Sequence, residues 1–394
     1  MSVSPPSPVE RLLPVAFDLL LPEGPDIIWR VTRLRGVEAL SSAYEFVLDL
    51  SCEDPLAAYE EMLGADCELV FDRNGVTRTV YGIIDEVHAL MSAESRVASA
   101  GLAARVRVVP AFKLLEQEID TRFFAGQNVV ELLRDLLTAS LAPYQRTIDV
   151  ESCIKAGYDK RDYCVQFRES TYDFCNRIMQ EAGIAYFFVG DDEEHKEKLV
   201  LIDSNADYKD VDLLVADAIP IVMSRADQLD RESLQAFDWR DARTPNRVRT
   251  RGHNFKVPRP PDEGNAERTD AHNPGTRELY FDDDLRQIVD DPVDDPDAQS
   301  FTGASLAQRA PLATRLLERH TLESATGQGR SNAIGFMAGR TFTLGEHPQP
   351  NLDHRQFLLT RVVHEGTIGD SDDEHAYANR FECIPIEHEF RPEL

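Results

Sequence analysis

Alternating hydrophobic and polar residues dominate the first quarter of the chain and predict β-strands. Short strand-like runs occupy residues 15–19, 27–31 and 44–48, and turn residues or charges separate them. Asn74-Gly75 follows another apolar-rich run, and an Asn-Gly pair supplies the positive φ of a tight hairpin turn. Residues 12–112 are therefore predicted to form a β domain.

Helical periodicity replaces this alternation at about residue 113. Asn128 and Glu131 form a capping-box pattern, and apolar residues at 129, 132, 133, 136, 137 and 141 fall on one helix face. Ser170 and Asp173 begin a second helix whose apolar face is 174, 175, 178, 179 and 182, and Gly183 marks its end. A strand at 163–167 and a hairpin at 184–189 and 199–202 surround this helix. An α+β module at residues 113–205 follows from this pattern.

The remainder of the chain returns to strands around one long insertion. Residues 234–239 and 247–251 read as strands, whereas 258–297 are rich in Pro, Asp and Gly and predict an excursion with little regular structure. A helix is predicted over 306–322, with Pro311 tolerated near its start or at a kink.

Two segments share a spacing of turn and strand residues. Gly64 and Pro110 bound the first, Gly339 and Pro385 bound the second, and each pair lies 46 positions apart. His88 and His364 fall at offsets of 24 and 25 and are interpreted as matching strand positions. Residue identity between the segments is thin, so coincidence between two strand-rich segments is the alternative. We predict that residues 60–112 and 335–387 fold as similar β-units.

Charge restricts the partners of the chain. Its 394 residues suffice for two or three domains, and 42 basic against 70 acidic residues give a net charge of −28. Such a surface repels phosphate backbones, so we expect no nucleic-acid partner. Residues 282–297 contain eight aspartates without the alternating ligands and central glycine of a calcium loop, and a hydrated loop that projects outward is expected.

The cysteines and the hydropathy favour a reducing compartment. The six cysteines form no CxxC pair and several sit in apolar runs, which predicts buried free thiols and leaves a Cys164–Cys175 bridge open. Neither a signal peptide nor an 18-residue apolar stretch is present in the sequence, so we expect no membrane span and a cytoplasmic location before assembly.

A search for catalytic chemistry finds no established motif. HExxH, Walker-type and G-x-S-x-G patterns are missing from the sequence, and the glycine-rich residues 327–332 are interpreted as a turn. Glu169 and Asp173 are assigned to helix capping. Histidines 347, 354, 364, 375 and 388 crowd the C-terminal quarter but fit no zinc framework, so surface or hydrogen-bonded histidines are expected. We therefore predict no catalytic, cofactor-binding or metal residues; a metal-dependent hydrolase that uses these histidines is the remote alternative.

Several segments, in order and spacing, resemble the VgrG family of type VI secretion spike proteins. YCVQFRES at 163–170 and EAGIAYFF at 181–188 resemble the family's tyrosine-rich strand and the helix that ends before aromatics. The other matching segments are DTRFFAGQ at 120–127, RGHNF at 251–255 with Pro258, LGEHP at 344–348, NRFECIP at 379–385 and FRP at 390–392.

The resemblance implies an α+β fold similar to the baseplate hub of contractile phage tails, with two related β-barrel domains and an α+β module between them. The implied domains are a first barrel at 12–112, the module at 113–205, a second barrel at 206–256 and 323–390, and an inserted excursion with one helix at 257–322. Family members continue into an oligonucleotide/oligosaccharide-binding barrel and a β-helical needle, so the chain is either a hub alone or a fragment.

The resemblance also implies a function without catalysis. It implies a homotrimer with pseudo-sixfold symmetry that docks a hexameric Hcp-like tube, contacts baseplate components and spike-tip or effector proteins, and is exported when the machine fires. A hub of a contractile phage tail or of an extracellular injection particle is the alternative.

Overall fold

The computed structural model describes residues 12–22, 24, 27–90, 101–161, 163–214, 217–222, 231–252, 262–269, 275–282, 309–369 and 376–393. The aspartate-rich run beyond Asp282 and the histidine at 375 lie outside these residues. None of the helices in the described ranges is long and apolar enough to cross a bilayer.

Six strands near the N-terminus form a closed barrel. They are β1 (Ala16–Leu20), β2 (Arg30–Ala39), β3 (Glu45–Cys52), β4 (Asp66–Arg73), β5 (Val76–Leu90) and β6 (Leu102–Val109). Their order is β1-β4-β5-β6-β3-β2, and β2 pairs back with β1 to close the barrel. Strands β3 and β4 alternate strictly between buried and less buried residues, as expected where one face covers a core. Asn74 and Gly75 adopt positive φ in the predicted β4–β5 turn.

An α+β module follows the first barrel. It contains α1 (Ala111–Leu114), β7 (Ile119–Phe124), α2 (Val129–Leu141), β8 (Ile148–Cys153), β9 (Cys164–Ser170), α3 (Thr171–Ala182), β10 (Ala185–Asp191) and β11 (Lys196–Ile202). The capping box of α2 and the Ser170 cap of α3 form as predicted, and the predicted apolar faces of both helices are buried. Gly183 ends α3 with a positive φ. These faces share one hydrophobic core with the first barrel.

The C-terminal half contains a second barrel and an insertion. Its elements are β12 (Lys209–Asp210), β13 (Ile219–Pro220), β14 (Leu234–Asp241), β15 (Arg247–Gly252), β16 (Asp262–Glu267), β17 (Glu278–Asp282), α4 (Arg309–Leu322), β18 (Ala325–Ser331), β19 (Arg340–Gly345), β20 (Gln356–Thr367) and β21 (Ala376–Pro385). The barrel order is β13-β19-β20-β21-β18-β14, and a bridge between Ile221 and Leu234 completes it.

The two barrels therefore have the same connectivity. If the six strands of each are numbered along the chain, both follow the order 1-4-5-6-3-2. One difference is that the first strand runs antiparallel to the fourth in the first barrel and parallel to it in the second. The two related barrels predicted from the sequence are confirmed, whereas the exact domain boundaries stay a prediction.

The repeated units also agree in register. Ile83 pairs with Val109 in the first barrel, and Leu358 pairs with Ile384 in the second, so both partners differ by 275 positions. A β-bulge interrupts the first ladder between Ile84 and Glu86 and the second between Leu359 and Arg361, which are again 275 positions apart. Bulges are specific features of a strand, so a shared bulge supports a true repeat over coincidence.

This register corrects the matching of the two histidines. At an offset of 275, His88 corresponds to Val363, and His364 is one residue further along the strand. Because neighbouring strand residues face opposite sides, His88 is exposed and His364 is fully buried.

The glycine-rich residues 327–332 are also not a turn. Residues 325–331 form strand β18, which lies between β14 and β21. A Cβ atom on Gly329 would meet the Ala236 carbonyl oxygen and the Phe381 ring at 2.5 Å each. Glycine is needed there for close packing, which the sequence pattern did not distinguish from turn chemistry.

The inserted excursion has more regular structure than predicted. Strands β16 and β17 flank β15 in a three-stranded sheet, and α4 packs on it through Leu312, Leu316 and Leu317. Strand β15 thus pairs within the insertion and not with the barrel strands. Pro311 lies in the first turn of α4, where its missing N–H costs little.

Candidate assembly surfaces

Strand pairing joins the two barrels directly. Residues 33–39 of β2 pair antiparallel with residues 361–367 of β20, and Gly36 lies opposite His364. A Cβ atom on Gly36 would lie 2.2 Å from the Phe46 ring, so only glycine fits this position of the junction. The result is one continuous sheet that runs from the first barrel into the second.

A buried polar network lies inside this junction. The Nη2 group of Arg78 donates to both carboxylate oxygens of Glu38 at 2.7 Å, and Nε2 of His364 donates to the same carboxylate at 2.8 Å. The Tyr377 hydroxyl donates to Nδ1 of His364 at 2.9 Å, and the Asn379 amide donates to that hydroxyl at 3.2 Å. A neutral imidazole with its proton on Nε2 satisfies all of these contacts.

The pKa values in this network follow from burial and charge. Burial alone would raise the pKa of Glu38, but Arg78 and then His364 hold that pKa below its usual value. Burial lowers the pKa of His364 by more than Glu38 raises it, which agrees with the neutral imidazole. Burial also raises the pKa of Tyr377 to about 12. These groups hold the two barrels together and face no open cleft.

Two arginines of the first barrel reach the second. Arg78 donates to the Phe336 carbonyl at 3.1 Å, and Arg73 donates to the Asn332 carbonyl at 2.6 Å. The Arg73 guanidinium also lies 3.9 Å from the carboxylate of Glu232. None of these residues was predicted from the sequence. The sequence pattern that could have indicated them is a charged residue at a core-facing strand position, such as Glu38 between Val37 and Ala39.

The outer face of the shared sheet carries ion pairs. Arg105 donates to Asp49 at 2.6 Å, and Arg361 donates to Glu382 at 3.2 Å. A groove of about 430 Å³ on this face is lined by charged residues that include Arg35, Asp238 and Arg380. Exposed pairs of this kind contribute little stability, so the face is a hydrated surface of mixed charge.

A second surface is apolar. Strands β7 and β9 form a two-stranded ribbon on which Ile119, Phe123, Tyr163 and Phe167 are each between 61% and 70% exposed. Phe123 and Tyr163 lie side by side with ring centroids 5.7 Å apart. Contiguous exposed apolar groups mark protein contact surfaces, so this ribbon is a candidate contact site.

The predicted histidines and acids do not converge. Within the described ranges, no three His, Cys, Asp or Glu side chains are placed to hold a metal ion. His347 and His354 lie in the loop between β19 and β20, His364 is in the junction, and His388 follows β21. Asp173 belongs to the α3 cap as predicted, but Glu169 pairs with Arg177 at 2.6 Å instead. All six cysteines are free, so Cys164 and Cys175 form no bridge.

Comparison with known families decides the classification. Residues 37–370 match the model of the phage tail baseplate hub family (GPD). This chain belongs to the phage tail baseplate hub family.

Its relatives within this hub family include type VI secretion spike proteins. The chain is 26% identical over 384 residues to the spike protein VgrG1c of Pseudomonas aeruginosa, covering 94% of this chain and 47% of the relative. It is 28% identical over 384 residues to VgrG4b of the same organism, covering 93% and 43%. The chain thus spans about half the length of these spike proteins.

Solved structures show the same hub fold. The Escherichia coli c3393 protein, a type VI secretion component described as similar to the T4 bacteriophage tail proteins gp27 and gp5, matches with a TM-score of 0.65 at 17% identity, covering 96% of this chain and 80% of that one. The 43 kDa prophage MuSo2 tail protein of Shewanella oneidensis matches with a TM-score of 0.57 at 12% identity, covering 95% and 100%.

Proposed function

We propose that the chain is the structural hub of a contractile injection machine, a type VI secretion spike, in which three copies form a ring that docks a hexameric Hcp-like tube. The observation that carries this proposal is the presence of two barrels with one connectivity and one register in a single chain. Three chains with two such units offer six similar faces, which matches a sixfold tube.

We infer further that this role is mechanical. The family is one of structural hubs. Glu38, His364 and Glu197, whose pKa values burial and charged neighbours shift, are engaged in interior contacts. Glu197 accepts from Arg146 at 2.9 Å and from the backbone N–H of Ala111 at 2.8 Å. Such contacts stabilise the barrels and the module and leave these groups no substrate to act on.

Contacts with further proteins are part of the proposal. A chain of the solved Francisella PdpA–VgrG complex has a similar fold, with a TM-score of 0.53 at 8% identity, covering 98% of this chain and 59% of that one. By analogy, we assign the exposed β7–β9 ribbon to a baseplate component, a spike tip or an effector protein. In this account the hub leaves the cell with the machine when it fires.

A second candidate is the hub of a contractile phage tail or an extracellular particle. The observation that favours it is the prophage tail protein, whose whole length this chain covers. The two candidates share a fold and differ in the tube that they dock.

Binding to purified tubes tests both candidates. Tubes assembled from the Hcp-like protein of the same genome, and separately from a phage-type tube protein of that genome, would be mixed with the chain and imaged by electron microscopy. We expect the chain at the ends of the Hcp-like tubes and not along their sides. Capping of the phage-type tubes alone would favour the second candidate, and binding to neither at tens of micromolar would contradict both.

A further inference from the structure

The pairing between the barrels joins β2 and β20, and on each of these strands it occupies only part of one edge. Along one edge of β20, residues 356–358 pair with β19 and residues 361–367 pair with β2. Along one edge of β2, Arg30 pairs with β1 and residues 33–39 pair with β20. The junction therefore joins the fifth strand of the second barrel to the second strand of the first.

The repeat places the same two strands elsewhere in the chain. The fifth strand of the first barrel is β5, and at an offset of 275 its residues 86–90 correspond to 361–365 of β20. The second strand of the second barrel is β14. Its residue Phe237, which pairs with Gly329, corresponds to Leu34 of β2, which pairs with Leu48. Both ladders carry a bulge just before this point, at Thr32 and at Gln235, so residues of β2 and β14 differ by 203 positions.

These two corresponding half-edges are open. On β5, residues 76–83 pair with β4 and residues 83–90 pair with β6 on the opposite edge. On β14, a bridge at Leu234 occupies the start of one edge and β18 occupies the other edge. Among the strands that the structure describes, none pairs with the second edge of residues 86–90 or 236–241. Open edges with unpaired N–H and C=O groups are templates for pairing with another chain.

We propose that residues 86–90 of one chain pair antiparallel with residues 238–242 of a second copy, in the register of the β2–β20 junction. This inference rests on the proposed hub function and specifies the contact that assembles the ring. It places Arg240 opposite His88 and Trp239 opposite Ala89, as Val37 lies opposite Val363 and Gly36 opposite His364.

The side chains at these positions fit one another. Within the chain, the small residue Gly36 of β2 faces the large residue His364 of β20. Between chains, the large residue Trp239 of β14 would face the small residue Ala89 of β5. Each pair therefore combines one large and one small side chain.

An acid-to-valine pair also recurs. Glu38 lies opposite Val362, and the corresponding Asp241 would lie opposite Val87.

Charge supports the same register. On the exposed face of β5, His88 contacts the carboxylate of Glu86, which also accepts from Arg107 at 2.9 Å. Arg240 is exposed on β14 and would lie diagonal to Glu86, within reach of a long side chain. Local cation-to-acid contacts of this kind offset part of the self-repulsion of a chain with a net charge of −28.

The contact joins two different edges, and a head-to-tail contact of this kind is the type that builds the proposed ring. Each chain offers one β14 edge and one β5 edge, so the contact is head-to-tail and each copy bonds to two others. A twofold dimer would instead pair two identical edges, such as β14 with β14. These alternatives give different cross-links.

Single-cysteine mixing tests the pairing. In a Cys153→Ser background, which removes the one native cysteine that is not buried, Arg240→Cys and His88→Cys would be made separately, mixed and oxidised. Directly opposite residues have Cα atoms about 4.5–5.5 Å apart, within disulfide range, whereas diagonal neighbours lie about 7–8 Å apart, beyond it. The control is Arg240→Cys mixed with Glu86→Cys, which tests a register shifted by two.

We expect cross-linked dimers in the mixture of Arg240→Cys with His88→Cys, at least tenfold more than in the control mixture or in either variant alone. Equal cross-linking in the control would overturn the register. Cross-linking of Arg240→Cys with itself would overturn the head-to-tail arrangement. The native mass of the unmodified chain separates failure of the pairing from failure of the proposed function. A trimer that does not form this cross-link would contradict the pairing and leave the hub proposal intact. A chain that forms no cross-link and stays monomeric would contradict both the pairing and the hub proposal.

A charge reversal gives an independent measurement. Arg240→Glu would place a second acid beside Glu86, and we expect at least a tenfold weaker self-association by sedimentation. Arg380→Glu reverses an exposed charge on β21, which has partners on both edges, and is expected to leave association within about twofold. Equal effects of the two variants would overturn the assignment of β14 as the contact edge.

Discussion

At the residue scale, the Glu38–Arg78 ion pair of the first barrel lies inside the junction with the second. Both side chains are only 9% exposed, and the carboxylate also accepts from His364. A buried pair of this kind adds little stability over apolar packing, but removal of one partner leaves the other charge buried and uncompensated. The network therefore specifies how the barrels meet.

Neutralising Glu38 tests this role. Glu38→Gln retains the size of the side chain but leaves the Arg78 charge unpaired, so we expect the free energy of unfolding to fall by about 3 kcal/mol. Denaturation in urea measures it. The matched control is Glu382→Gln, which removes an exposed partner of Arg361 and should change stability by less than about 1 kcal/mol. Equal losses would show that burial of the Glu38 pair carries no special cost.

Histidine 364 makes stability depend on pH. Its pKa is lowered in the folded chain, so the unfolded chain binds a proton more readily, and stability is lost as pH falls below about 6.5, the ordinary histidine pKa. We expect the stability gap between wild type and His364→Gln to narrow between pH 7 and pH 5. Tyr377→Phe keeps the titrating imidazole and should retain the wild-type slope. A constant gap in unfolding titrations would contradict a neutral buried imidazole.

At the scale of elements, strand β18 depends on glycine for its place between β14 and β21. Gly329→Ala would bring a Cβ atom to 2.5 Å from the backbone oxygen of Ala236, which cannot move without shifting β14. We expect a loss of about 1–3 kcal/mol in unfolding free energy, as for other overpacked sites. Gly157→Ala has open space around its Cβ and should be neutral within about 0.5 kcal/mol. A neutral Gly329→Ala would argue against the close β14–β18 contact.

The sequence identified the elements whose signals are local. Helices α2 and α3 were predicted with their caps and buried faces because capping and 3.6-residue periodicity depend on residues close in the chain. Strand β18 was missed because its glycines serve partners far along the chain, and β16 because its residues, DEGNAE, carry weak strand propensity. Strand β17 contains Leu279, Tyr280 and Phe281 and was missed because it lies within a stretch rich in Pro, Asp and Gly.

The candidate surfaces were less predictable than the fold. The 46-residue spacing revealed the repeat, but a bulge and a register are properties of paired strands, so the sequence placed His88 one residue from its true counterpart. The Glu38 network joins residues 326 positions apart, and no local pattern encodes such a partner. Open edges also become visible only when all strand pairings are known.

At the scale of the whole molecule, two barrels of one design are fused by a strand pair and carry a strongly acidic surface. Three chains would bring a net charge of −28 each into one ring, so self-repulsion opposes assembly at low ionic strength. Salt screens exposed charges over about 8–10 Å at ionic strengths near 0.1–0.15 M, which should favour association.

The native mass in solution tests the central claim most directly. Light scattering and sedimentation of the purified chain would be measured at micromolar concentrations over a range of salt. The account predicts a species of three times the 44.4 kDa chain mass that dissociates at low ionic strength and re-forms when salt is added. A 44.4 kDa monomer at every salt and protein concentration would contradict the proposal that this hub assembles its own ring.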